Sequence, residues 1–306
     1  MKAFIRKASV FLVLVIIMDF ICGSLLRVLV KNAKGGDTAR NEYIINKVEA
    51  PILIFGSSRG MCSYNPKIIS EELNKSCYNC ANDGMGIFLF WNRFQVIKER
   101  YLPEVIIYDV WADFDLKENV DLMMNLDAMR LYYDHPVVKE TFHLMAPKEH
   151  YKMQSNLYRY NGKILQIIAD NIQPQKNDVN GFRPKYGHMN YTPIMDGSYS
   201  KPPYDKSKIY YLEELIKQCK RNNIKIIFCI SPFYGGIKHV ADIYSPLLSL
   251  CKSYGVPFWN FSSDKQLAYN KYYFVDSFHL NAEGANIYSR KIAGKLKNEK
   301  LKNERK

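Results

Sequence analysis

Apolar residues cluster at the start of the chain in a way that nothing later repeats. Ala8 to Met18 is an unbroken apolar run, Asp19 interrupts it, and FICGSLLRVLV follows. From Ala8 to Leu26 the only charge is Asp19, and this span is close to the ~20 residues needed to cross a bilayer. Lys2, Arg6 and Lys7 precede it, a pattern that favours a cytoplasmic N-terminus, although Arg27, Lys31 and Lys34 follow it. Residues 1–30 read as a single-pass membrane anchor, with a cleaved signal peptide as the competing reading. Either way the rest of the chain is expected on the extracytoplasmic side. Residues 31–48 are polar and broken by Gly35-Gly36, and read as a juxtamembrane linker.

An alternation of short apolar runs with helix-period segments begins after the linker. Pro51 to Phe55 reads as a buried strand ended by glycine, and Pro66 stands well as the first-turn proline of a helix reaching Asn74. SCYNC has short strand character, Ile87 to Tyr101 is helical in pattern, and EVIIYDV from Glu104 is a second buried strand. Between about residues 114 and 204 the rhythm lapses. That stretch is too long for a structureless loop, so it reads as an insertion with helices at Asn119–His135 and Tyr158–Asn171, beside the turn-rich NGFRPKYGHMN and DGSYSKPPYD. Its tyrosines either form ordinary core or cap the site and stack on sugar rings. Regularity returns at Asp205 with an amphipathic helix, the strand IKIIFCISP, a helix from His239 to Tyr254, the strand VPFWNF and a last basic helix. Residues 297–306 read as a frayed, solvated basic tail; contact of the last helix with anionic headgroups is the secondary reading. The predicted fold is α/β: a three-layer sandwich around a central parallel sheet in flavodoxin-like order, spanning residues 49–296.

Composition adds two constraints. Net charge is +13, pointing to an anionic surface or polymer nearby, yet no nucleic-acid recognition motif is present. The seven cysteines are neither even in number nor densely spaced, so they are no disulfide scaffold. Cys77 and Cys80 make a lone CxxC with no second pair and no nearby histidine, weak grounds for zinc or redox chemistry. No phosphate-binding glycine loop follows any strand, which disfavours a nucleotide enzyme.

Chemistry collects at the carboxyl ends of parallel strands. Here Ser57 and Ser58 follow the first strand, Gly84 and Gly86 the second, and Asp276 with His279 stands near the end of the chain. A serine hydroxyl needs a base to take its proton, and among the six histidines His279 stands apart because Asp276 lies three residues before it in a turn that immediately precedes a helix. An Asp-x-x-His turn lets the carboxylate fix the imidazole tautomer. The bland alternative is that Asp276 caps the last helix and His279 is a surface residue.

FGSSRG, YNCANDG and DSFHLNAEGA resemble the first, second and last sequence blocks of the SGNH (GDSL-like) hydrolase superfamily. The resemblance implies Ser58 as nucleophile with Ser57 in the place of an aspartate. It also implies Gly84 and the N–H of Ser58 as oxyanion donors, and Asp276 and His279 as the orienting acid and the base. Ala81 replaces the middle glycine of the second block. The third block departs further, because Ala112 stands where the superfamily carries an oxyanion-donating asparagine, and Asn82 is the candidate substitute. Arg59 is read either as steering an anionic substrate or as pairing with an acid such as Asp83 or Asp113. No cofactor and no metal are implied. The weakened third block is similar to that of membrane-anchored members working with envelope acyl-transfer systems, such as the D-alanyl-lipoteichoic acid biosynthesis and alginate acetylation proteins. The implied function is therefore an exported, membrane-tethered serine esterase or O-acyltransferase acting on an acyl ester of an envelope carbohydrate through an acyl-Ser58 intermediate. Its implied partners are an acylated carbohydrate or envelope polymer, the membrane, and a membrane-bound acyltransferase, with no nucleic acid. The alternative is an SGNH-fold carbohydrate-binding or assembly protein with little or no turnover.

Overall fold

The computed structural model describes residues 1–118, 122–175, 178–193 and 203–303. Asn119 with residues 120–121, and most of DGSYSKPPYD, lie outside the described residues. Helices α1 (Lys2–Lys31) and α2 (Gly36–Asn46) open the chain. Then β1 (Ile52–Gly56), α3 (Ser58–Ser63), α4 (Pro66–Leu73), β2 (Cys77–Asn79), α5 (Ile87–Lys98), β3 (Val105–Asp109) and the one-turn α6 (Ala112–Asp115) alternate. Helices α7 (Leu122–Asp127), α8 (Pro136–Met145), α9 (Pro147–Lys152) and α10 (Ile164–Ile172) fill the insertion. The chain closes with α11 (Lys206–Arg221), β4 (Lys225–Ile230), α12 (Val240–Ile243), α13 (Ser245–Tyr254), β5 (Phe258–Asn260) and α14 (Ala282–Asn303). Two compact units result, one from residues 1–47 and 126–177, the other from residues 48–125 and 178–306.

The second unit is built on a five-stranded parallel sheet in the order β2-β1-β3-β4-β5, the flavodoxin-like order. Ile52 pairs in register with both Cys77 and Val105, and Val105 with Lys225. Strands β1 and β3 are buried at every position, which explains why they read as continuous apolar runs rather than as alternation. One set of residues (Ile52, Ile54, Ile107, Ile227) packs with Tyr288, Ile292 and Leu296 of α14. The opposite set meets α5, where Phe90 lies 5.5 Å from both Phe55 and Tyr108, and Tyr108 lies 5.6 Å from Phe228. Helices thus cover both faces. The helix expected from His239 to Tyr254 is divided at Tyr244, before Pro246, which cannot donate in the helical ladder.

Residues 297–303 of the expected frayed tail are helical, and residues 304–306 lie outside the described residues. Helix α14 runs on to Asn303, because Glu299 accepts from Trp259 Nε1 at 3.1 Å and pairs with Lys225 at 2.5 Å, while Lys297 pairs with Glu72 at 2.9 Å. Cys77 and Cys80 are not joined in a disulfide and are buried, packed as small core residues.

In the first unit, the expected linker is corrected as well. Residues 36–46 form α2, whose Thr38, Glu42, Ile44 and Ile45 are buried. Its polar composition hides a helix whose N-terminus is capped from far away: Asp170 Oδ2 accepts from Thr38 N at 3.0 Å. Leu26 and Val30 of α1 share a small core with Tyr160 and Ile167. Tyr133 and Tyr160 of the insertion are core residues. Helix α1 is long and apolar enough to cross a membrane.

Candidate active site

Strand β1 ends at Gly56 with φ +142°, a conformation that residues with a Cβ rarely adopt, and a Cβ there would lie 2.7 Å from Asp109 O. Only glycine lets the chain turn so close to β3. The turn delivers Ser58 as the first residue of α3, where the N–H groups of the opening turn have no intrahelical acceptor. Ser57 is fully buried beside it, and Met61 N donates to its carbonyl at 3.0 Å.

The histidine arrives on the loop before α14. That loop is clamped: Val275 N donates to His279 O at 3.0 Å, and Asn281 N to Tyr273 O at 2.8 Å. The Asn281 side chain accepts from Gly284 N at 2.9 Å, so Asn281, not Asp276, serves the helix start. Asp276 instead folds back. Its carboxylate accepts from the amides of Phe278 (2.8 Å) and His279 (2.9 Å) and from His279 Nδ1 at 2.8–2.9 Å. Burial alone would raise its pKa, but these hydrogen bonds together hold the carboxyl below its ordinary value. Asp276 is therefore ionised wherever a histidine base works. With Nδ1–H engaged, Nε2 carries the lone pair, and Ser58 Oγ donates to it at 2.8 Å. A serine, a histidine and an aspartate form one hydrogen-bonded line over a sequence separation of 221 residues.

Oxyanion donors need to face Ser58 Oγ from fixed positions. Gly84 stands in a turn closed by Met85 N donating to Asn82 O at 3.2 Å, with φ +65°. Asn82 is anchored twice: its N–H donates to Gly56 O at 2.9 Å, and its Oδ1 accepts from Arg93 Nη2 at 3.1 Å. Holding Oδ1 fixes which way the amide faces, and leaves Nδ2 as its donor. Ala112, at the start of α6, is buried and has nothing to donate. Replacing Asn82 by Ala is expected to lower kcat for ester cleavage about 10²–10³-fold with little change in KM, the usual cost of one oxyanion donor; steady-state kinetics on a chromogenic acetyl ester check it.

Arg59 is corrected. It is fully buried, so its guanidinium does not reach solvent. Its Nη2 donates to the carbonyl and, at 2.9 Å, to the hydroxyl of Ser231. Neither Asp83 nor Asp113 is its acid: Ser231 Oγ and N donate to Asp109 at 3.0 and 2.8 Å, and Tyr64 OH donates to Asp109 at 2.9 Å. The rings of Trp111 and Phe233 sit 5.5 and 5.4 Å from the guanidinium carbon. Burial pushes the Asp109 carboxyl up, against the charge of Arg59 and the hydrogen bonds of Tyr64 and Ser231.

Sequence reading missed the aromatic residues bordering the histidine. Trp111 lies 6.4 Å, edge-on, from the His279 ring and 5.4 Å from Phe278; Phe114 and Phe233 extend the cluster. The turn carrying Trp111 is fixed by Asp115, which accepts from Trp111 N at 2.9 Å and Tyr108 OH at 2.6 Å. Burial raises the Asp115 pKa to about 7, outweighing those bonds and the charge of Lys208. The folded protein thus holds a proton that the unfolded chain releases near pH ~4. Between that pH and about 7 the folded state binds more protons, so this group makes stability fall as pH rises. Asp115→Asn is expected to flatten the decline in Tm between pH ~4 and ~7, measured by thermal unfolding in a buffer series.

No protein-family model matches this chain, and no curated protein sequence does. Among solved structures it is similar to an acetyl xylan esterase at 12% identity, over 81% of this chain and 98% of that one, with a TM-score of 0.39. A GDSL-like lipase from Bacteroides thetaiotaomicron matches at 13% identity, over 80% of this chain and 88% of that one, with a TM-score of 0.36. An acetyl xylan esterase from the rumen bacterium Butyrivibrio proteoclasticus matches at 11% identity, over 81% of this chain and 63% of that one, with a TM-score of 0.35. Likeness this distant speaks to neither activity nor substrate, and what the chain does follows from its own side chains.

Proposed function

We propose that this protein is a serine hydrolase or O-acyltransferase acting on ester bonds, of the SGNH type that its sequence blocks resemble. The observation that carries the reading is the line Ser58 Oγ–His279 Nε2, His279 Nδ1–Asp276. In it a weak nucleophile touches a base whose tautomer is fixed by an ionised acid.

The chemistry follows from the geometry. Ser58 Oγ attacks the ester carbonyl while its proton passes to His279 Nε2. The groups proposed to receive the tetrahedral oxyanion are the N–H of Ser58, the N–H of Gly84 and Nδ2 of Asn82. His279 returns the proton to the departing alcohol, leaving an acyl-Ser58. Water, or the hydroxyl of an acceptor sugar, then takes the acyl group by the reverse steps. Asp276 stays charged throughout and supports the imidazolium that forms.

The envelope setting rests on two features of the chain: an N-terminal helix apolar enough to span a bilayer, and a net charge of +13 suited to anionic polymers. An acylated envelope carbohydrate is therefore the proposed substrate and the extracytoplasmic face the proposed location, with a membrane-bound acyl donor as the proposed partner if transfer dominates. The competing reading, a carbohydrate-binding protein without turnover, draws on Ala112; the anchored amide of Asn82 supplies the donor that alanine lacks. A fluorophosphonate probe tests the assignment. Covalent labelling of the wild type, absent in Ser58→Ala, supports a serine enzyme; an unlabelled wild type that still binds acetylated glycan refutes it. Release of acetate from an O-acetylated cell-wall polysaccharide, against transfer to added oligosaccharide, separates hydrolysis from transfer.

A further inference from the structure

We infer that the unit built from residues 1–47 and 126–175 is partly sunk in the bilayer, the outer face of α10 lying against lipid in the leaflet where α1 ends. This rests on reading α1 as a membrane anchor.

Helix α10 shows too apolar an outer face for a helix in water. At 3.6 residues per turn, Leu165, Ile168 and Ile172 share one face, and they are 83%, 38% and 72% exposed. Its inward side carries Ile167, which joins the small core, beside two polar residues: Asp170, buried, accepts from Thr38 N, and Asn171 Nδ2 donates to Leu29 O at 3.1 Å. A surface helix of a water-soluble unit keeps its outer face polar, whereas α10 is apolar on both sides. The same unit exposes Leu144, Tyr151 and Leu157 as well.

The length of the anchor shows what covers this face. The unbroken apolar run from Ala8 to Met18 rises only about 16 Å, against a hydrocarbon core of about 30 Å. The missing depth, about nine residues, has to come from the stretch beyond Met18. That stretch is not bare helix. The Asp19 carboxylate accepts from Ser155 Oγ at 2.5 Å, Asn156 N at 2.8 Å and Leu157 N at 3.0 Å. At Gly23 a Cβ would lie 2.4 Å from Asn156 Cβ, and Leu26 shares a core with Tyr160 and Ile167 of α10. A bilayer thick enough to enclose α1 therefore reaches residues 155–157 and the helix packed beside them. This also accounts for a carboxylate within a spanning helix, since the insertion satisfies it where lipid cannot. Lys31 and Lys34, just past this depth, suit anionic headgroups.

The test uses the full chain, reconstituted in vesicles of phosphatidylcholine and phosphatidylglycerol. In a Cys22→Ser background the remaining native cysteines are buried, so an environment-sensitive nitrobenzoxadiazole label can be placed at Leu165→Cys or Ile172→Cys. Variants whose melting curve matches the wild type are read. The expected result is a larger loss of fluorescence to doxyl-labelled phosphatidylcholine than to aqueous iodide at both positions, with the chain resisting alkaline carbonate extraction. Quenching by iodide alone in a carbonate-resistant chain overturns the embedding while leaving the anchor intact. Protection from both quenchers also overturns it, because a protein surface then covers α10. Release by carbonate removes the anchor reading and the embedding with it.

Discussion

Replacing Ser58 by alanine is expected to slow ester cleavage about 10⁴–10⁶-fold, with the folded state intact. Ser58 is partly exposed at the first position of α3, and its Oγ bonds to His279 Nε2, so removal of that one atom leaves the surrounding packing in place. His279→Ala should cost about as much, and the double variant no more than either single one, because nucleophile and base act in one step. Additive losses in kcat would show that the two residues do not work together. A loss confined to KM would place Ser58 in substrate binding instead.

Arg59→Met is expected to destabilise the fold by about 1–3 kcal/mol, a value typical of leaving a buried hydrogen-bond acceptor without its donor. Arg59 is fully buried, and its loss leaves the Ser231 carbonyl without its donor and the Asp109 carboxyl without its nearest positive charge. Methionine fills much of the volume between the Trp111 and Phe233 rings, so the loss reports the polar network rather than a cavity. Urea unfolding should show a lower midpoint with an unchanged m-value, and KM of the folded fraction should stay near that of the wild type. A raised KM with full stability would instead place the guanidinium in the substrate site.

Whether a feature could be read from the chain depended on the range of its interactions. The strands β1 and β3 were plain because both their faces are buried, leaving an unbroken apolar run. Asp276 and His279 were plain because three residues separate them, so one turn brings the carboxylate onto the imidazole whatever surrounds it. Gly56 was legible only as the end of a strand; the need for glycine there comes from Asp109 on the neighbouring strand. Beyond that range the sequence was silent or misleading. Arg59 was read as steering an anionic substrate or pairing with Asp83 or Asp113, because Ser231, which accepts from it, and Asp109 behind that serine lie far along the chain. Residues 36–46 looked like a linker because their cap, Asp170, comes from a helix 132 residues away. The periodicity of α10 was visible as helical, but not which side would face inward.

The sequence by itself therefore determined the strand-helix order, the serine at the end of the first strand and the acid-base turn near the last helix, since each depends on neighbours within a few residues. Tertiary structure alone decided that Ser58 meets His279 across 221 positions, that Arg93 holds the side-chain oxygen of Asn82, and that Leu165, Ile168 and Ile172 of α10 are exposed. Those outcomes depend on which distant surfaces come together, and packing, not local preference, selects them.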